Sequence, residues 1–213
     1  MSRPSDADLL DRWADGDTSA ARILLDRYFD GLARFFRSKI STGVEDLIQQ
    51  TLMTCVRRRD ALRERASFRA YLYTVARRLV HEHCTKLQRD RTRFDPLHSS
   101  IVDLERSPSQ IAAQKQEQRL LLTALRQIPV DLQIALELRF WEQLSGPELA
   151  EVLGIPEGTV RSRIRRGTEL LRKRLELLGA ADLDMESSQA DFEGWARELR
   201  ERTDTPGTET REK

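Results

Sequence analysis

Arg161, Ser162, Arg165 and Arg166 crowd into the second half of LSGPELAEVLGIPEGTVRSRIRRGTELLRKRL, residues 144–175. Guanidinium forks and hydroxyls gathered on one short surface neither cleave nor transfer a group. They bond base edges and phosphates, so the chemistry they suit is the reading of duplex DNA. His81, His83 and Cys84 form another tempting cluster, at spacings of two and three. On a helix those side chains diverge, and no second ligand pair stands nearby, so no metal site is expected. No His, Cys or carboxylate set has catalytic spacing, and neither an enzyme nor a cofactor is expected.

A DNA-reading surface needs a helix whose opposite face is anchored. Val160, Ile164, Gly167, Leu171, Leu175 and Leu178 recur at steps of three and four and supply that anchor. Upstream, Ser145 and Glu148 have capping-box spacing and Pro147 suits a first turn, which predicts a helix start. Leu149, Ala150 and Leu153 give this helix a short apolar face; Gly154 permits its end and Pro156 opens the next. A helix-turn-helix accounts for the caps, the turn and the charge together. The plain alternative is a helical hairpin with a solvated basic face.

A second arginine-rich stretch begins at RRRDALRERASFR, residues 57–69, which should contain a loop. A helix is predicted from near Ser67 to about Arg91, with Phe68, Tyr71, Leu72, Val75, Ala76, Leu79, Val80 and Cys84 apolar. Arg69, Arg77, Arg78, Lys86, Arg89 and Arg91 decorate it. Aromatics interleaved with arginines can hold unstacked bases and track a single strand's phosphates. The same aromatics can equally be core, and composition alone leaves the two readings open.

Ahead of this stretch, Ser5 and Asp8 can cap a first helix bearing Leu9, Leu10 and Trp13, ended by Gly16. Asp17 or Thr18 starts a longer one in which Leu24, Leu25, Tyr28, Phe29, Leu32, Phe35 and Phe36 predict a central core helix, broken at Ser41 to Gly43. In VEDLIQQTLMTCVRRR, Val44, Leu47, Ile48, Thr51, Leu52 and Cys55 take the inner face. Glu45, Asp46, Gln49, Gln50 and Met53 take the outer one, a mixture that suits either a protein partner or water.

Residues 92–114 lack a sustained apolar period and carry Pro96 and Pro108, so they read as a flexible linker. Ser107 can cap the next helix, on which Leu121, Leu122, Leu125 and Ile128 are apolar. Pro129 divides it from another, whose Ile134, Ala135, Leu138 and Trp141 pack beneath the helix-turn-helix. The expected fold is all-α: two small helical domains, 1–91 and 115–178, joined by the linker and followed by a short extension, 179–213.

The net charge of +1 hides an asymmetry. Ten acids and five bases follow Gly179, which leaves the tail at about −5 and the preceding chain at about +6. Phe192, Trp195 and Leu199 predict a short amphipathic helix within that tail. No apolar run approaches the roughly 20 residues of a membrane span, and MSRPSDADLL lacks a signal peptide's apolar core. Two cysteines without a CxxC pair are expected to be buried reduced thiols, and the compartment to be the cytoplasm.

The order of these parts resembles the bacterial sigma factors of the small, two-domain extracytoplasmic-function type within the sigma-70 family. Three stretches carry it: VEDLIQQTLMTCVRRR, SFRAYLYTVARRLVHEHC, and IPVDLQIALELRFWEQLSGPELAEVLGIPEGTVRSRIRRGTELLRKRL. The resemblance implies a region 2 domain over 1–91 and a region 4 domain over 115–178. It assigns Asp46, Gln49, Gln50 and Met53 to the clamp helices of the largest subunit of core RNA polymerase, with the second domain facing the flap of the second-largest. It assigns Thr159, Arg161, Ser162, Arg165 and Arg166 to the -35 promoter duplex. Phe68, Arg69, Tyr71, Tyr73, Arg77 and Arg78 fall to the melted -10 strand, where the segment from Arg63 to Arg78 would capture a flipped base. Gln50 replaces the family's usual acid and Arg78 a common asparagine, so the preferred -10 base is not carried over. The resemblance also admits an anti-sigma factor as partner. Two rival functions fit parts of the pattern: an autonomous dimeric helix-turn-helix regulator, and a helical docking adaptor whose basic face is only solvated.

Overall fold

The computed structural model describes residues 4–58, 62, 67–94 and 116–178. Among these residues every regular element is a helix: α1 Asp6–Ala14, α2 Thr18–Arg37, α3 Val44–Arg57, α4 Phe68–Phe94, α5 Gln116–Arg126, α6 Val130–Phe140, α7 Gly146–Leu153 and α8 Glu157–Leu177. None of them is long and apolar enough to cross a membrane. By contacts, one unit contains α1–α4 together with α7 and the first turn of α8, and a second contains α5, α6 and α8 from residue 161 onward. The contact grouping therefore does not coincide with the division expected from sequence, which put α7 with the second domain.

In the first unit the caps fall where side-chain chemistry places them. Ser5 accepts from the Asp8 amide at 3.1 Å while the Asp8 carboxylate takes the Ser5 amide at 3.0 Å, a reciprocal cap. Asp17 caps α2 through the amides of Ser19 and Ala20. The Ser67 hydroxyl accepts from the Ala70 amide at 3.2 Å and so opens α4. α1 is tied to α2 by Asp6, which receives Arg27 and the Tyr28 hydroxyl. Burial and that hydrogen bond to an anion push the Tyr28 phenol well above its ordinary pKa.

The core of this unit holds Leu9, Trp13, Leu24, Leu32, Phe35, Phe36, Ile48, Leu72 and Tyr73. Phe35 meets Tyr73 edge-on at 5.5 Å between centroids, and Tyr28 lies 5.5 Å from Phe68, which locks α2 to α4. Lys39 is buried yet satisfied: its ammonium donates to Phe35 O at 2.8 Å and to Ser38 Oγ at 3.0 Å, and stands 3.8 Å from the Phe35 ring centroid. The buried Thr51 hydroxyl donates to Leu47 O.

Three expectations shift. Phe29 is 47% exposed instead of core, while its half-buried neighbour Tyr28 bonds Asp6 and packs on Phe68. Cys84 is half-buried, whereas Cys55 is fully enclosed; both are free thiols. α4 continues three residues beyond Arg91, to Phe94, so the linker starts later than its composition suggested. The remaining linker, the Ser107 cap, and the tail helix of Phe192, Trp195 and Leu199 lie outside the described residues.

In the second unit α6 is enclosed from Leu132 through Leu138. That burial includes two polar side chains, Gln133 and Glu137, which hydrogen-bond one turn apart at 2.9 Å. Leu121, Leu125 and Ile128 of α5 and its following turn are buried, while Leu122 and Trp141 are only half so. Leu171 and Leu175 of α8 complete the apolar set.

Candidate nucleic-acid interface

Gly154 ends α7 with φ +64°, a left-handed conformation that costs glycine nothing. Its amide bonds Glu151 O at 3.3 Å and the Ile155 amide bonds Ala150 O at 3.2 Å, the paired bonds of a Schellman turn. Pro156 then accepts from the Thr159 amide at 2.8 Å, and α8 begins at Glu157. Helix, three-residue turn and helix are thus set by a glycine and a proline at the positions the sequence indicates.

α8 is divided along its length. Val160, Ile164, Gly167, Leu171 and Leu175 are buried, and Leu178 just past its end is half-buried. Thr159, Arg161, Ser162, Arg165 and Arg166 are all exposed. The structure brings these five together over the first three turns, three of them cationic and two carrying hydroxyls. Such a surface can fork onto phosphates and base edges in a groove.

On α4 the expected residues separate into two sets. Phe68, Tyr71 and Tyr73 are buried, with relative exposures of 2%, 7% and 0%, so their rings pack on protein. Arg77 is half-buried and Arg78 exposed, the latter in a surface pair with Glu82 at 3.3 Å. So exposed a pair contributes at most about 0.5 kcal/mol and leaves Arg78 available to an anion. Lys86 and Arg89 extend the same exposed cationic side.

Arg69 behaves differently. Its Nη2 donates to Glu148 Oε2 at 2.7 Å and its Nε to Glu148 Oε1 at 3.3 Å, while the Ser67 hydroxyl donates to the same Oε1 at 2.7 Å. Burial draws the Arg69 pKa down, and the hydrogen bond and charge of Glu148 more than reverse it. Sequence reasoning assigned Glu148 to a capping box and missed this role. Nothing local pointed to it, since its partners lie 79 and 81 positions away.

α3 presents Glu45, Asp46, Gln49, Gln50 and Met53 outward, Met53 at 43% exposure, over an inner face of Val44, Leu47, Ile48, Thr51 and Cys55. Val56 is also exposed, so the outer surface has acids and amides beside two apolar side chains. That combination suits a protein partner better than a nucleic acid.

Comparison with known proteins finds two family matches in the chain. Residues 24–90 match Sigma-70 region 2 and residues 118–171 match Sigma-70, region 4. The ECF RNA polymerase sigma-E factor of Haemophilus influenzae is 26% identical over 185 residues, spanning 82% of this chain and 97% of the relative. The ECF RNA polymerase sigma factor SigX of Bacillus subtilis is 29% identical over 171 residues, 78% of this chain and 88% of the relative. Among solved structures, CnrH in complex with the cytosolic domain of CnrY superposes with a TM-score of 0.60 at 25% identity, covering 84% of this chain and 99% of the other. The sigma factor RpoE of Bartonella quintana, in complex with the anti-sigma factor NepR, gives a TM-score of 0.61 at 23% identity over 73% of this chain and 96% of the other, a likeness of fold.

Proposed function

The chain belongs to the sigma-70 family, and from that premise we propose that it is a sigma factor of the extracytoplasmic-function type. It binds core RNA polymerase and directs promoter-specific initiation by recognising -35 duplex and melted -10 DNA. The observation that carries this reading is the split of α8, with Val160, Ile164, Leu171 and Leu175 buried and Thr159, Arg161, Ser162, Arg165 and Arg166 exposed.

The protein acts through binding energy and carries no catalytic group of its own; bond formation belongs to the polymerase. Residues 1–91 grip the enzyme and the -10 element, and residues 115–178 read the -35 element and face the flap. Asp46, Gln49, Gln50 and Met53 meet the clamp helices of the largest subunit. Arg161, Arg165 and Arg166 supply guanidinium forks to phosphates and guanines, and Thr159 and Ser162 supply hydroxyls. Each phosphate neutralised releases counterions, so affinity falls steeply with salt.

At -10 the cations Arg69, Arg77 and Arg78 hold the displaced strand. Phe68, Tyr71 and Tyr73 brace that surface from within, and the segment from Arg63 to Arg78 captures an extruded base. Holding that base offsets an unstacking cost of about a few kcal/mol. One helix-turn-helix offers too little surface for tight duplex binding alone, so promoter affinity depends on the polymerase. An autonomous regulator would have no use for the region 2 match over residues 24–90.

The polymerase works in the cytoplasm, where this reading places the chain. Because a solved relative is held by an anti-sigma factor, we extend to this chain the expectation of such a partner. Size-exclusion chromatography with purified core polymerase tests the docking. Wild-type protein co-elutes, and Asp46→Ala combined with Met53→Ala weakens co-elution at least tenfold; wild-type protein eluting apart from the polymerase contradicts the reading.

A further inference from the structure

The first unit contains an anionic group seated at the start of α4. Glu148 receives Arg69 with both carboxylate oxygens and Ser67 with one, at 2.7 to 3.3 Å. The pair is largely withdrawn from water, with side-chain exposures of 30% and 17%. Withdrawn charge-assisted bonds are shorter, stronger and less screened by salt than surface pairs. A carboxylate gripped by an arginine fork and a hydroxyl at a helix N-terminus occupies the geometry that a backbone phosphate would take. Glu148 occupies the Nε–Nη2 edge of Arg69, so a phosphate bound bidentately at that edge must displace it.

Resting on the reading of α4 as the -10 element, we propose that Glu148 is an intramolecular phosphate mimic. It latches α7 onto α4 in the free protein and blocks the Arg69 end of the -10 surface until the latch is broken. The free chain is therefore self-inhibited for single-strand binding. Release frees two parts at once: Arg69 for the -10 strand, and α7, the first helix of the -35 reader, from its seat on α4. Polymerase docking supplies the energy for the exchange, which keeps the unbound factor off DNA.

The test uses the full chain without polymerase. Amide hydrogen exchange is followed in residues 67–72 and 146–153, with core amides of α2 as the folding control, and affinity is measured for a fluorescein-labelled single-stranded oligonucleotide. Glu148→Gln keeps the side-chain shape and removes the charge. It should speed exchange in both segments about tenfold and tighten strand binding about tenfold, the scale of a charge-assisted bond lost. Arg69→Gln should speed exchange equally without tightening the strand. Arg69→Glu paired with Glu148→Arg should restore protection. Unchanged exchange in Glu148→Gln, or faster exchange without tighter strand binding, overturns the latch. Failure of wild-type protein to co-elute with polymerase would instead sink the proposed function, and the exchange data would still decide whether α7 is latched.

Discussion

Gly167 stands so close to Leu136 that a β-carbon built on it would lie 3.1 Å from Leu136 Cγ and 3.3 Å from each Cδ. Leu136 is fully buried. Helix α8 is thus seated directly on α6 at a point where even a methyl group requires Leu136 to give by a few tenths of an ångström. Gly158, on the same helix, meets nothing within 4 Å. The two glycines should respond oppositely. Gly158→Ala gains helix propensity and should stabilise by up to about 1 kcal/mol. Gly167→Val should cost about 1–3 kcal/mol through overpacking. Chemical denaturation of the two variants checks the signs, and equal shifts would disprove the seating.

Gln143 holds φ +55° where α6 ends, a left-handed conformation most side chains avoid. The Leu144 amide bonds Leu138 O at 2.9 Å around it. Gln143→Gly should therefore stabilise by about 1 kcal/mol, the strain relieved exceeding the flexibility added. Thermal melting provides the measurement.

The corner between α1 and α2 depends on ionised carboxylates. The Ser19 hydroxyl, then Arg12, hold Asp17 far below the ordinary carboxylate range, and Ser5 lowers Asp8. A depressed folded pKa means stability that is present above the unfolded value, near pH 3.9, and lost as pH falls through the folded one. Melting temperature should fall on acidification below about pH 4. Asp17→Asn, which cannot titrate, should narrow its deficit against wild type over the same window.

The thiols differ in reach. Burial pushes the Cys55 thiol up to about 12, whereas Cys84 is half-buried and raised less, Lys39 opposing the shift. Thiolate is the reactive form. Alkylation at pH 8 should modify Cys84 first and leave Cys55 intact until the protein unfolds; peptide mass mapping distinguishes the order.

Much of this was legible because the periods were clean. The buried stripe and exposed arginines of α8, the Schellman turn at Gly154, and the caps at Ser5, Asp17 and Ser67 are local chemistry, and local spacing reveals local chemistry. Phe29 was misplaced because α2 has more apolar positions than one face can bury. The aromatics of α4 were ambiguous in sequence, since core and base-stacking positions have the same composition; packing puts Phe68, Tyr71 and Tyr73 inside. Glu148 was illegible for a different reason: its spacing satisfied a local rule, while its carboxylate goes to Ser67 and Arg69.

Run-off transcription with core polymerase is the most direct measurement of the central claim. Adding this protein should produce discrete transcripts from promoters that core enzyme alone ignores. Replacing Arg161, Arg165 and Arg166 by alanine should remove most of that signal and flatten the salt dependence of promoter binding by about one unit of slope per arginine. Discrete initiation that is indifferent to those three substitutions, or no initiation with wild-type protein, would contradict the account.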